Sequence, residues 1–297
     1  MPEGNQSVRR GSTSQQAPPI QVAHLFPIVE ARLSELLRSL APADWERPTI
    51  CPGWTVKEVA AHLLDTNIRN LSMRRDGYFG EKPAGADSYE SLVRFLDRMN
   101  AEWVKAARRI SPRVLIDWLE MTSREACEFY ASLDPLARAP FPVAWAGQAE
   151  SLNWFDLARE YSERWHHQQQ IRLAVATPGS PMFTEIMTRE LYHPVLDAFM
   201  YALPRTYSNV AAAEGSALKI VVTGEAGGTW FLARRKDRWQ LNNPAPASIA
   251  AVVSIPQDLA WRLFTKGLDE QERRSTIKME GDIALAELIA NAIGIMG

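Results

Sequence analysis

Apolar residues recur at three- and four-residue spacing through most of the first two hundred positions, and short β-branched runs replace that pattern after about residue 209. Leu25, Ile28, Val29, Leu33, Leu36 and Leu37 form one such stripe and predict an amphipathic helix from Gln21 that Pro42 and Pro48 bring to an end. A second helix is announced by Thr55, a good N-cap, with Glu58 three residues on as its capping-box partner. Val56, Val59, Ala60, Leu63, Leu64 and Leu71 give it an apolar face, and Gly77 to Gly85 follows as a loop. Two more helices are expected at about 89–109 and 112–131, the latter opened by Ser111 and Pro112 as cap and first helical residue. A long helix is expected from about Ser151 to Val175, and another at about 182–203, ending at Pro204.

The later grammar is mixed. Ala217–Thr223 predicts a strand, with Gly227-Gly228 and Lys236-Asp237 as hairpin punctuation around Trp230-Phe231-Leu232 and Trp239-Gln240-Leu241. Ile249–Ile255 predicts a strand, Pro256–Phe264 a helix, Ser275–Met279 a strand and Asp282–Ile293 a closing helix capped by Asp282. Helices first and mixed strands after imply an all-α unit followed by a small α+β unit. The expected division is a disordered Ser/Gln/Gly/Pro-rich tail at 1–20, a helical bundle at 21–205 and the α+β unit at 210–297.

Composition narrows the function classes. A net charge of −2 argues against nucleic acid as a partner, and the basic cluster Arg234, Arg235, Lys236 and Arg238 is expected to be a solvated hairpin tip. No apolar run reaches the roughly 18 residues that span a bilayer. Arg9-Arg10 is followed by polar sequence, so no export signal is expected and the location expected is cytoplasmic. Cys51 and Cys127 cannot make a disulfide framework, and Cys51, lacking an assigned base, is expected to be a structural thiol. Trp54, Trp154 and Trp165 are expected in the core, and His24 and His193 have no partner that the sequence identifies. The oligomeric state is left open.

The candidate chemistry lies in His62 on the second helix and Glu163 with His166 and His167 on the long one. Residues four apart on a helix are separated by about 40° around its axis, and residues three apart by about 60° the other way. Either histidine could therefore join Glu163 at one ion, and spacing does not choose between them. Two imidazoles and a carboxylate suit a divalent transition metal with open positions, provided the two helices pack face to face. Arg69, two turns beyond His62, is a candidate catalytic residue that could address an anionic substrate. Asp65 could orient a ligand imidazole.

The segment Cys51-Pro52-Gly53-Trp54-Thr55-Val56-Lys57-Glu58-Val59-Ala60-Ala61-His62-Leu63 resembles the signature of the DinB-like superfamily and, more narrowly, of mycothiol-dependent maleylpyruvate isomerases. Arg159 to Arg172 resembles that family's second ligand stretch, and Gly228-Thr229-Trp230, Arg238-Trp239, Ala260-Trp261-Arg262-Leu263 and Gly281-Asp282 resemble its sterol-carrier-like unit. The resemblance implies a mixed α and α/β chain: a DinB-like four-helix bundle followed by a small α+β sterol-carrier-like domain. It implies His62, Glu163 and His167 as ligands of a divalent metal ion, with zinc expected and His166 a non-ligand neighbour. Gln168, Gln169 and Gln170 depart from the family, many of whose members carry an aspartate soon after the second histidine.

The function implied is a metal-dependent isomerase or S-transferase that uses mycothiol or another low-molecular-weight thiol on a small electrophilic substrate. A divalent ion with an open position lowers the pKa of a thiol, and the thiolate can add to a double bond or an epoxide. Two alternatives stay open: a non-catalytic small-molecule-binding protein with a structural metal, and a DinB-like metal-dependent hydrolase or cyclase.

Overall fold

The computed structural model describes residues 18–81, 88–241 and 245–295. Most of the expected 1–20 tail and the far part of the expected 77–85 loop lie outside the described residues. At the start of the described chain Ile20 and Val22 are already buried.

A short 3-10 turn, Ala23–Leu25, leads into helix α1 (Phe26–Ser39). Its buried residues, Phe26, Val29, Leu33, Leu36 and Leu37, follow the expected stripe, whereas Ile28 is exposed on the stripe's edge. Helix α2 (Val56–Asn70) starts at a reciprocal capping box: the Thr55 backbone N–H donates to Glu58 Oε2 at 2.9 Å, and the Glu58 N–H donates to Thr55 Oγ1 at 3.4 Å. One wide turn, Leu71–Arg75, extends it. Helices α3 (Tyr89–Ala107), α4 (Pro112–Ser132) and α5 (Asn153–Val175) match expectation closely, with the Ser111 side chain capping α4. Helices α1, α2, α4 and α5 form the bundle, and α3 packs on the outer side of α2.

The helix expected at 182–203 is instead three pieces, α6 (Pro181–Thr184), α7 (Arg189–Met200) and α8 (Leu203–Thr206). The Thr188 side chain accepts the Leu191 N–H at 3.4 Å and so caps a fresh start. Pro204 sits near the start of α8, where a missing N–H is harmless, so it opens a turn where it was expected to end a helix.

Strands β1 (Ala217–Thr223), β2 (Gly228–Arg235), β3 (Arg238–Leu241), β4 (Ala251–Pro256) and β5 (Lys278–Gly281) form one sheet in the order β3-β2-β1-β4-β5. The pair β1–β4 is parallel; the other neighbours are antiparallel. Helix α9 (Gln257–Phe264) follows β4 directly, and Arg235, Lys236 and Arg238 are exposed at the β2–β3 turn.

Two expectations near the end need correction. Residues 275–279 are not one strand, because α10 (Glu270–Thr276), capped by Asp269, occupies their first part and β5 begins at Lys278. The closing helix α11 (Ile283–Glu287) is short and passes into a 3-10 turn, Leu288–Asn291, although Asp282 caps it as expected, accepting the Leu285 N–H at 3.0 Å.

One buried cluster runs from the bundle into the sheet. Trp165 of α5 stacks on Tyr192 of α7, with centroids 4.1 Å apart and planes 6° apart, and meets Trp261 of α9 edge-on at 6.3 Å. The Tyr192 hydroxyl donates to Gln257 O at 2.8 Å. On its other flank α7 holds β2, where Trp230 Nε1–H donates to Asp197 Oδ1 at 2.8 Å. Helix α5 is thus clamped from behind by the sheet unit while its front faces α2. Among the described residues no helix is long and apolar enough to cross a membrane.

Candidate metal centre

Helix α5 is unusual in that most of its circumference is buried although much of it is polar. Buried polar side chains are costly unless partnered, and several on this helix reach partners on other elements. Arg164 meets Glu30 at 2.8 Å, Gln168 donates to Val29 O at 3.1 Å, Gln169 donates to Phe183 O at 3.0 Å, and Trp165 donates to Ile186 O at 2.8 Å. These contacts fix the rotation of α5 about its axis. Glu163 and His167 consequently face α2, where the Thr55–Glu58 cap has set the phase that places His62 on the inner face.

The rings of His62 and His167 meet edge to face with centroids 4.7 Å apart. His167 Nε2 lies 3.5 Å from Glu163 Oε2, and His166 Nδ1 lies 3.8 Å from the same oxygen. Ligand atoms of Glu163, His166 and His167 all lie within 4.8 Å of one another. Two donors each about 2.1 Å from a tetrahedral ion are about 3.4 Å apart, so the Glu163–His167 spacing suits joint ligation. Both neighbouring histidines therefore reach the carboxylate. They differ in their other partners: His166 Nδ1–H donates to Ser162 O at 3.1 Å, whereas the His167 ring is the one that meets His62.

The protonation states suit a cation. Burial, reinforced by the neighbouring His167 ring and the Arg69 guanidinium, pushes the His62 imidazole well below its ordinary pKa. Burial and His167 likewise push His166 down to about 3. Burial alone would raise the Glu163 carboxyl, but the adjoining His167 and His166 rings and the Arg159 guanidinium outweigh it and hold Glu163 at about 2. At neutral pH the pocket thus holds an ionised carboxylate beside neutral His62 and His166. Nδ1 of His62 and Nε2 of His166 are buried without a hydrogen-bond partner. A buried nitrogen lone pair left unpaired is costly unless a cation or a water meets it. The donor set fits a divalent transition metal.

Around this cluster the other candidates sort themselves. The Arg69 guanidinium pairs with Asp65 at 2.9 Å and donates to Asn100 Oδ1 at 3.1 Å. Asp65 therefore serves Arg69, and no hydrogen bond among the described residues joins it to an imidazole. Trp54, expected as core, lies beside the His62 ring at 5.1 Å, on the segment just before the cap. Gln170 belongs to the stretch that departs from the family pattern, and its Oε1 lies 2.9 Å from His167 Nδ1. Its spacing of one turn from His167 is the signal that could have identified it. Cys51 and Cys127 are free thiols, and His193 contacts the Ala226 carbonyl at 2.8 Å, far along the chain from the ligands. A cavity of about 370 Å³ opens between α1 and α4 beside Leu33, Leu119 and Cys127, and none of the candidate ligands lines it.

The sequence profile of the mycothiol maleylpyruvate isomerase N-terminal domain matches residues 26–172. Among solved structures, mycothiol-dependent maleylpyruvate isomerase is similar at 14% identity and a TM-score of 0.52, covering 89% of this chain and 93% of the other. A histidine-to-alanine mutant of that enzyme gives the same figures, 14% and 0.52, over the same 89% and 93%. At that identity the structural likeness shows a shared fold. No curated protein sequence matches the chain. The matched stretch contains His62, Glu163 and His167, and this part of the chain belongs to the mycothiol maleylpyruvate isomerase N-terminal domain family.

Proposed function

We propose that this protein is a metal-dependent, thiol-dependent isomerase or S-transferase acting on a small electrophilic substrate, with mycothiol or a related low-molecular-weight thiol as cosubstrate. His62, Glu163 and His167 would hold the divalent ion, with zinc the expected metal. The single observation that carries this reading is the meeting of His62 with His167, 4.7 Å apart, beside a carboxylate held in its ionised form. A divalent ion with an open position, when bound, makes a thiol a nucleophile at neutral pH.

The chain's own residues do the rest. Glu163 supplies a fixed negative charge that compensates a cation in a poorly solvated place. The indole of Trp54 walls the His62 side and limits water there. Arg69, oriented by Asp65, is the group proposed to meet an anionic part of the substrate. The division into a bundle at 21–205 and an α+β unit at 210–297 is likewise proposed, with the second unit bracing α5 through Trp165, Tyr192 and Trp261.

The test is incubation of the metal-loaded protein with low-molecular-weight thiols and a panel of electrophiles, read by mass spectrometry. Thiol-dependent loss of an electrophile, abolished by His62→Ala, is expected. Tight binding of an electrophile with no turnover under any thiol would instead favour a binding protein with a structural metal.

A further inference from the structure

The two nitrogens of an imidazole are linked: whichever is held as a donor leaves the other as the lone pair. At His167 the structure shows both sides of that link. Nδ1 lies 2.9 Å from Oε1 of Gln170, and Nε2 lies 3.5 Å from the Glu163 carboxylate. An amide oxygen only accepts hydrogen bonds, so this contact keeps the ring proton on Nδ1. Gln170 is itself buried, as are Gln168 and Gln169, but those two spend their amide nitrogens on the backbone carbonyls of Val29 and Phe183. Of the three successive glutamines, the third alone makes the bond to the ligand ring.

We propose that Gln170 is the positioning residue of the metal centre: its side-chain oxygen fixes His167 with the proton on Nδ1 and the Nε2 lone pair beside Glu163, and its neutrality leaves the centre with a net positive charge. The inference rests on the reading of His62, Glu163 and His167 as ligands. The charge follows by counting. Two neutral imidazoles and one carboxylate around a divalent ion sum to +1, and a carboxylate at position 170 would reduce that to zero. A carboxylate partner would also push more electron density through the imidazole than an amide does. The site is therefore tuned to hold an anionic donor, the class to which a thiolate belongs.

Full-length protein labelled with 15N at histidine, read before any metal is added, reports the tautomer directly. The His167 proton is expected on Nδ1, and Gln170→Leu is expected to lose that fixed state and to bind zinc about 10–100-fold more weakly in competition with a chelator. Gln170→Glu keeps an acceptor oxygen; it is expected to hold zinc at least as tightly as the unmodified chain. In cobalt-substituted protein the same variant is expected to lose affinity for azide, used as an anionic probe and followed by its visible spectrum. A His167 proton on Nε2 overturns the inference, as does zinc affinity in Gln170→Leu equal to that of the unmodified chain. If Gln170→Leu does not fold, unchanged azide affinity in Gln170→Glu overturns it. Failure of the unmodified chain to bind zinc or cobalt at all defeats the ligand assignment itself, which separates the two failures.

Discussion

The imidazole of His62 on α2 meets that of His167 on α5 edge to face at 4.7 Å, although about a hundred residues lie between them in the chain. Nothing local to either histidine produces this meeting. It follows from the phase of two helices, one set by its N-terminal cap and the other by a ring of buried polar contacts.

The cap can be tested alone. Thr55→Ala removes the side-chain acceptor of the capping box and is expected to cost about 1 kcal/mol in urea unfolding. The partner carries a pH signature. Burial alone would raise the Glu58 carboxyl, but hydrogen bonds from Thr55 and Arg108 outweigh it and hold it below its ordinary value. A carboxyl depressed in the folded state contributes stability above its unfolded pKa, and that contribution is lost as pH falls through the folded value. Glu58→Gln should therefore flatten the acid limb of the stability curve below about pH 4.5; an unchanged acid limb would show that Glu58 carries no such linkage.

A second prediction concerns the buried pair of Arg74 and Asp156, 2.7 Å apart with side chains 3% and 1% exposed. Breaking a pair this deep leaves an uncompensated charge, so Asp156→Ala is expected to destabilise the fold by about 3–5 kcal/mol. Chemical denaturation of the variant measures it. A loss under about 1 kcal/mol, the scale of surface pairs, would contradict the assignment.

The free thiols give a third. Burial raises both Cys51 and Cys127, the latter to about 12. Thiolate is the reactive form, so neither should be an activated nucleophile at neutral pH. Labelling by a disulfide reagent at pH 7.5 is expected to be slow in the folded protein and fast in urea. Rapid labelling of Cys51 in the folded state would reopen a nucleophilic role.

How much of this was legible in the sequence depends on whether the signal was local. Thr55 with Glu58, Ser111 with Pro112, and Asp282 all cap helices where their patterns place them, because a cap is a bond between residues three apart. The Glu163–His167 spacing was equally local. Helix α10 buries no residue and so leaves no apolar period in the sequence. The break before α7 is hidden in the sequence because Thr188 outcompetes a continuing apolar stripe. Trp54 beside His62 and the parallel β1–β4 pairing depend on chain return, which no window of sequence reports. Adjacent histidines stayed ambiguous for a geometric reason, since both reach the Glu163 oxygen, at 3.8 and 3.5 Å.

The most direct measurement is elemental analysis of the purified full-length protein beside His62→Ala, Glu163→Gln and His167→Ala, each checked for an unchanged circular dichroism spectrum. The account predicts about one divalent ion per chain in the unmodified protein, in line with a single three-ligand site, and a large loss of metal in every variant. An unmodified protein that takes up no metal from zinc-supplemented medium, or a His62→Ala variant that keeps the full complement, would contradict it.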